Sequence, residues 1–286
     1  MKLINTNNIG KVILAGAGPG DPDLVTVKTA NYLQQADVVL TDRLVSKVIL
    51  DRYVKPSARI IEVGKQCRRG VSTPQQTINE LMVQYAQEGN LVVRLKGGDV
   101  SFFSNVLDEL EVLVANQIPY EMVPGVTAAS GAAAYAGIPL TARNHATAVR
   151  FLTFYKSTVV SDTYWKELAT TEDTLVFYMS SETLDDLVRK LIEHNVARDT
   201  KLAVIEQATT TYQQVYVSNI YEYEARLQGQ QFLSPSLIII GKVVSLQESF
   251  GWFTGSDLKE YYFKPLTSQV KSIVTNEPGK KYAGRA

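Results

Sequence analysis

Hydrophobic and polar positions follow two periods along this chain, and the switches between them mark out its elements. Lys11-Val12-Ile13-Leu14-Ala15 is a short apolar run that ends in Gly16-Ala17-Gly18-Pro19-Gly20. A run of this kind, closed by a glycine turn, predicts a buried strand. A helical pattern follows from Leu24 to Leu33, then a strand at Val38-Val39-Leu40 that ends in Thr41-Asp42-Arg43. The clearest helix follows Thr73. Ile78, Leu81, Met82 and Tyr85 fall on one stripe at helical spacing. Thr73 as N-cap, Pro74 in the first turn and Gln76 predict a capping box, with Gly89 as the stop. Leu91 to Leu95 is the next strand, running into Gly97-Gly98-Asp99. Val106, Leu107, Leu110, Leu113 and Val114 mark an amphipathic helix. Tyr120 to Val123 is a strand, followed by Pro124-Gly125 and an alanine-rich segment from Thr127 to Ala136. Strands alternating with helices predict a mostly parallel sheet covered on both faces.

Gly137-Ile138-Pro139-Leu140 breaks this pattern and is the candidate linker. Beyond it, Val149 to Phe154, Leu175 to Met179, Leu202 to Glu206, Gln214 to Val217 and Leu237 to Ile240 read as strands. The Gln214 segment suggests antiparallel pairing. Leu184, Leu187, Val188 and Leu191 form a helical stripe behind a Ser181 cap. The expected organisation is two α/β domains, 1–138 and 139–250, with 251–286 as a partly disordered extension whose end from about residue 270 is frayed.

Composition narrows the function. The 286 residues are 45% hydrophobic and 20% charged, ordinary for a globular protein. Lys plus Arg and Asp plus Glu both total 29, so the formal net charge is zero. That balance argues against a nucleic-acid coat or a polybasic membrane binder. No stretch approaches the ~20 apolar residues needed to cross a bilayer, and the N-terminus lacks a signal-peptide cleavage pattern; a cytoplasmic protein is expected. One cysteine, Cys67, excludes an internal disulfide, and two histidines, His145 and His194, make a histidine metal centre a poor expectation.

Four turns follow the carboxyl ends of predicted strands: 16–20, 41–44, 97–99 and 124–128. In an open α/β sheet the ligand crevice lies there, and glycine lets backbone approach a ligand closely. The first loop, Gly-Ala-Gly-Pro-Gly-Asp, fits a dinucleotide poorly. Pro19 removes an N–H donor, and Asp37 is a weak candidate for the acidic ribose partner. No phosphate-cradling Gly-x-x-x-x-Gly-Lys-Ser/Thr motif is present. A nicotinamide-dependent oxidoreductase is therefore a disfavoured alternative.

Taken together, the segments are far more specific. GAGPGDPDLVTVKTANYLQQADVVLTDRLVS, VGKQCRRGVSTPQQTINELMVQYAQEGNLVVRLKGGD, VPGVTAASGAAAYAGIPLTAR, TLVFYM and SPSLIIIGKVV occur in that order. Over roughly residues 10 to 250 the chain resembles the uroporphyrinogen-III C-methyltransferases of the tetrapyrrole methylase superfamily. The resemblance implies two α/β domains with a ligand cleft between them, S-adenosyl-L-methionine held there without a metal, and a homodimer. The implied reaction methylates uroporphyrinogen III at C2 and C7, giving precorrin-2 for sirohaem or cobalamin synthesis and S-adenosyl-L-homocysteine as the spent donor. A later corrin precursor is the alternative acceptor, and a non-catalytic tetrapyrrole carrier a further reading. Matched position by position, Pro19, Gly97, Gly98, Asp99, Phe102, Thr127, Ala128, Met179, Ala208 and Ser236 would contact the cofactor. Asp42 would be the proton acceptor and Lys65 the proton donor. Arg143, Asp108 and Asn105 would face the substrate.

Plainer readings exist for several of these residues. Met179 alone reads as a core gap-filler, Asp42 beside Arg43 as a solvated ion pair, and Lys65, Arg68 and Arg69 as a basic surface turn. A polycarboxylate substrate, however, calls for a local cationic wall, to which Lys65, Arg68, Arg69, Arg143 and Arg150 could contribute. The sequence also departs from the family. Where the family reads Pro-Phe-x-Phe-Gly-Arg-Gly-Gly-Glu-Glu, residues 100–109 read Val-Ser-Phe-Phe-Ser-Asn-Val-Leu-Asp-Glu. Asn105 stands at the arginine and cannot form a bidentate carboxylate clamp. Either another cation, such as Arg43 or Arg150, substitutes, or the acceptor or the rate differs.

Overall fold

The computed structural model describes residues 9–64, 73–155 and 160–264. Two five-stranded sheets organise it. In the first half, β1 (Lys11–Gly16), α1 (Val27–Gln35), β2 (Val38–Thr41), α2 (Lys47–Tyr53), β3 (Arg59–Glu62), α3 (Gln75–Gln87), β4 (Leu91–Lys96), α4 (Val106–Ala115), β5 (Tyr120–Val123) and α5 (Ala128–Ala136) follow in order. The strands lie in the order β3-β2-β4-β1-β5, and every pairing is parallel. Val12, Ile13, Leu14, Val92 and Val93 are fully buried, because helices cover both faces. This is the arrangement expected for residues up to 137.

The second half contains β6 (Val149–Thr153), α6 (Asp162–Thr170), β7 (Thr174–Tyr178), α7 (Leu184–Glu193), β8 (Lys201–Glu206), β9 (Gln214–Asn219) and β10 (Ser236–Ile240). Its sheet runs β6-β7-β10-β8-β9, with β6 and β7 parallel and the remaining pairs antiparallel. The antiparallel reading of the Gln214 strand is thus correct. The predicted stripe of α7 is buried at Leu184, Leu187, Val188 and Leu191. Among the described residues no helix is long and apolar enough to cross a membrane.

Several element ends differ from expectation. α3 begins at Gln75 with Pro74 in the cap position and no side-chain cap, and Gln76 Nε2 donates to Glu80 instead of closing a capping box. Ser181 opens a single 3-10 turn, so Thr183, not Ser181, precedes α7. The helical pattern from Leu24 is a 3-10 turn followed by α1, capped by the Thr26 hydroxyl at the Thr29 amide. β3, α2 and α6 escaped the pattern reading. β3 is a short edge strand with exposed positions, so no apolar run marks it.

The two halves are stitched together at three levels. The small-residue face of α5 (Ala129, Ala132, Ala133, Ala136) and Ile138 pack against Val176, Ala203, Ile205 and Ile239 of the second sheet. Gly137 sits in the left-handed region at the end of α5, where a Cβ would fall 2.1 Å from the Phe250 carbonyl. A strap of residues 251–264 then runs back over both halves. Trp252 Nε1 donates to the Ala134 carbonyl (2.8 Å), Gln207 Nε2 to the Glu260 carbonyl (2.7 Å), and the Tyr262 hydroxyl to the Gly20 carbonyl (3.3 Å). Lys264 ion-pairs with Glu62 of β3.

Candidate active site

The strand order puts β2, β4, β1 and β5 side by side, so their carboxyl-end loops converge. The loops after β1 and β4 bridge each other. The Gly18 amide donates to the Gly98 carbonyl (3.1 Å) and the Gly98 amide to the Gly18 carbonyl (2.8 Å). A Cβ on Gly125 would lie 2.3 Å from the Gly98 carbonyl oxygen, and one on Gly16 would lie 2.6 Å from it. Only glycine permits three loops to meet this closely. Asp99 locks the junction: it is 7% exposed and its two oxygens accept the Ser101 (2.7 Å) and Gly125 (2.8 Å) amides. The Asp99 carboxylate is therefore committed to backbone. Pro19 is buried, and a Cβ on Gly131 of α5 would meet its ring at 2.5 Å. Asp37 lies at the opposite end of β2, bound to Lys55 and the Leu91 amide, which removes it as a ribose partner.

The second half supplies the facing wall. The Tyr178 hydroxyl at the end of β7 bonds to Thr127 Oγ1 (2.7 Å) and accepts the Ala129 amide (3.0 Å), joining β7 to the start of α5. Burial pushes the Tyr178 pKa up. Phe102 stacks edge-on against Phe151 (5.3 Å) and Phe103 against Tyr178 (4.8 Å), so the segment after Asp99 spans the crevice. Met179 has φ 54° and is 52% exposed, its sulfur accepting a hydrogen bond from the Tyr155 hydroxyl (3.2 Å). The core gap-filler reading of Met179 is incorrect. Ala208, half-buried, lies in the loop after β8, close to Gly20. Ser236 opens β10 opposite Glu206.

Asp42 directly follows β2 and is half-buried. Its oxygens accept the Leu44 amide (2.9 Å) and the Gly97 amide (3.4 Å). It is not a solvated ion pair with Arg43: that guanidinium donates to the Lys264 carbonyl (2.9 Å) and Ser234 Oγ (3.1 Å), tying the strap to the first half. Burial lowers the Arg43 pKa. Arg150 is committed as well, to Glu167 (2.5 Å) and Asp173 (2.6 Å). Neither cation replaces the missing arginine at Asn105, because each is engaged elsewhere. Asn105 itself has φ 53° and stands at the start of α4 without a side-chain cap. Arg143 is exposed in a tight turn closed by the Ala142 and Ala146 backbones, and His145 Nδ1 bonds to the Arg143 carbonyl. Lys65, Cys67, Arg68 and Arg69 lie outside the described residues.

Asp108 is exposed on α4, beside a groove of about 720 Å3 between α3 and α4. The next residue, Glu109, is fully buried and holds two cations at once: Arg94 Nε at 3.0 Å and Lys96 Nζ at 2.7 Å. Sequence reasoning missed this triad. The available signal was a pair of charges two residues apart, Arg94 and Lys96, inside an otherwise apolar strand.

This geometry defines a two-lobed α/β protein in which loops of the first lobe converge at the carboxyl ends of a parallel sheet, opposite the second lobe. Residues 11–224 match the family Tetrapyrrole (Corrin/Porphyrin) Methylases, and the chain belongs to it. It is 47% identical to a siroheme synthase of Azotobacter vinelandii over 247 residues, covering 86% of this chain and 53% of that protein. The chain thus spans about half the length of the curated relatives it matches. Among solved structures it resembles a cobalt precorrin-4 methyltransferase (27% identity, TM-score 0.72, covering 82% of this chain and 95% of that one). It also resembles a uroporphyrin-III C-methyl transferase from Thermus thermophilus complexed with S-adenyl homocysteine (31% identity, TM-score 0.68, covering 83% of this chain and 100% of that one).

Proposed function

We propose that this chain methylates uroporphyrinogen III at C2 and C7 with S-adenosyl-L-methionine, giving precorrin-2 for sirohaem or cobalamin synthesis and leaving S-adenosyl-L-homocysteine. The observation that carries this reading is the convergence of the first lobe's glycine loops opposite the end of β7. Backbone loops of the first lobe, at Gly97, Gly98 and Thr127-Ala128, face an apolar wall of Phe102 and Met179, with Tyr178 joining the lobes. The residues fit the donor. At Gly98 the position of a Cβ is open, its nearest neighbour the Ala128 amide nitrogen at 3.7 Å, so backbone stands free beside the start of α5. Gly98 and the small side chain of Ala128 leave room for an adenosine, while the half-exposed Met179 and Phe102 offer it apolar surface. The relative solved with S-adenyl homocysteine supports the same choice.

When bound, S-adenosyl-L-methionine supplies a methyl already activated by its sulfonium. The protein's own residues bind and align. Pro19, Ala208 and Ser236 border the crevice, Asp99 fixes the loops that form it, and proximity supplies much of the rate. Asp42 accepts the proton that the alkylated macrocycle loses from a position other than the fully substituted methylated carbon, and Lys65 is assigned as proton donor. Arg143 presents an exposed guanidinium to a substrate carboxylate, with Asn105 and Asp108 on the substrate side. The reading includes a cytoplasmic homodimer, no nucleic-acid or membrane partner, no metal, and a division of the chain near residue 138 with 251–286 as an extension.

A second acceptor, a later corrin precursor, is favoured by one observation: Asn105 brings no charge where relatives carry arginine, and Arg43 and Arg150 do not replace it. One experiment separates the two. Purified protein is incubated with S-adenosyl-L-methionine and anaerobic uroporphyrinogen III, and the product is weighed. Gain of two methyl groups is expected. An unchanged macrocycle alongside bound cofactor overturns the first reading and directs the assay to later precursors.

A further inference from the structure

β2 and β4 are parallel neighbours with Leu40 opposite Arg94 and Thr41 opposite Leu95. Continuing that register sets Asp42 beside Lys96. Alternate residues of a strand share a face. Leu40 and Val92 pack in the cluster under α3 and α4, so Arg94, Lys96 and Asp42 belong to that same face. Arg94, Lys96 and Glu109 therefore form one buried cluster, with Asp42 next in register at its edge. Glu109 of α4 bonds Arg94 Nε (3.0 Å) and Lys96 Nζ (2.7 Å) with both of its oxygens. Arg94 Nη1 is further held by the Leu40 and Leu95 carbonyls, both at 3.3 Å. Both cations are about 4% exposed. Burial lowers the Lys96 pKa, while Glu109 and Asp42 raise it.

A buried carboxylate between two buried cations is costly to desolvate and adds little to stability for its expense. Arg94 and Glu109 alone would balance; Lys96 leaves one positive charge in excess. The negative charge next in register is Asp42, whose carboxylate also accepts the amide of the residue following Lys96. We propose that Lys96, anchored by Glu109, is a positioning residue: pinned at the end of β4, it sets the Gly97 amide that meets the Asp42 carboxylate and so orients that carboxylate. Lys96 acts through Asp42 and does not touch substrate. The inference rests on the reading of Asp42 as proton acceptor.

The test is a double-mutant cycle in the full chain. Lys96→Met keeps the aliphatic stem and leaves Arg94 and Glu109 as a balanced pair, so it folds; Lys96→Gln is the second variant. Binding of S-adenosyl-L-homocysteine, read by calorimetry, is expected to stay within about twofold. Methyl transfer is expected to fall about tenfold or more in kcat, with KM for the donor little changed. In an Asp42→Asn background, Lys96→Met is expected to change kcat less than about twofold, because a residue acting through Asp42 has nothing left to act on. Losses that multiply across the cycle, or a single Lys96→Met variant with parental kcat, overturn the proposal while leaving the role of Asp42 intact. Asp42→Asn with parental kcat overturns the base reading and this inference together.

Discussion

At the scale of single residues, the buried charges carry most of the information. Glu206 ends β8 fully buried, its carboxylate accepting the Leu233 amide (2.6 Å) with the Tyr216 hydroxyl at 3.5 Å and Lys259 Nζ at 3.7 Å. Burial outweighs these partners and pushes the Glu206 pKa up. Burial and the neighbouring carboxylate likewise push Tyr216 up to about 12. A carboxyl raised in the folded state costs nothing below its unfolded pKa, and the cost grows as pH rises through the folded value. Glu206→Gln keeps an acceptor and removes the charge. The variant is expected to be more stable than the parent near about pH 8, with the difference vanishing near about pH 4. Chemical denaturation at both pH values checks the sign; a gain at acid pH alone contradicts it. None of this was legible in the Leu202-to-Glu206 strand, because an acidic residue at a strand end reads as solvent-exposed until a strap covers it.

At the scale of elements, the strap of residues 251–264 changes the picture most. Apolar periodicity fades after Phe250, and sequence reasoning therefore treats the region as an extension. The structure shows it engaged step by step, through Ser256 at Thr211 (2.6 Å), Glu260 and Tyr262 at Gln207, and Lys264 at Arg43 and Glu62. Such a segment follows the surface it lies on and has no period of its own. Its anchor is Phe263, 3% exposed, which a Cβ on Gly20 would approach to 3.2 Å. Phe263→Ala is expected to destabilise the protein by about 3 kcal/mol, the usual cost of emptying a buried aromatic site. A loss below about 1 kcal/mol in denaturant unfolding would mean that the strap is loosely seated. The regular elements were much easier to read. The stripes of α3 and α7 and every strand except β3 came from their periods, whereas α2, α6, β3 and several caps did not.

At the scale of the whole molecule, the two lobes are held as one by α5, the strap, and the contacts of Phe102, Phe103 and Tyr178. A ligand seated between them contacts both and so couples their unfolding. S-adenosyl-L-homocysteine at about a hundred times its Kd is expected to raise stability by roughly 2.7 kcal/mol, with both lobes shifting in a single thermal transition. Two transitions, only one of them moved by the ligand, would place the binding site within one lobe. At this scale the order of the strands matters more than their existence. Because β4, β1 and β5 are adjacent, loops 16–20, 97–99 and 124–128, separated by up to about a hundred residues of chain, become one surface.

The sequence by itself determined where most strands and helices lie, that the first sheet is parallel, and which glycine loops follow the carboxyl ends of its strands. Those properties follow from local periods and from the conformational freedom of glycine, both written in short stretches of chain. It also carried the family, through motifs in fixed order. The tertiary structure alone decided which charges are free and which are committed. Arg43, Arg150 and Asp99 are bound to partners 16 or more residues away in sequence for the most part, and Glu109 meets Arg94 and Lys96 only because α4 packs over β4. Electrostatic pairing depends on distance in space and on burial, and neither is encoded in spacing along the chain.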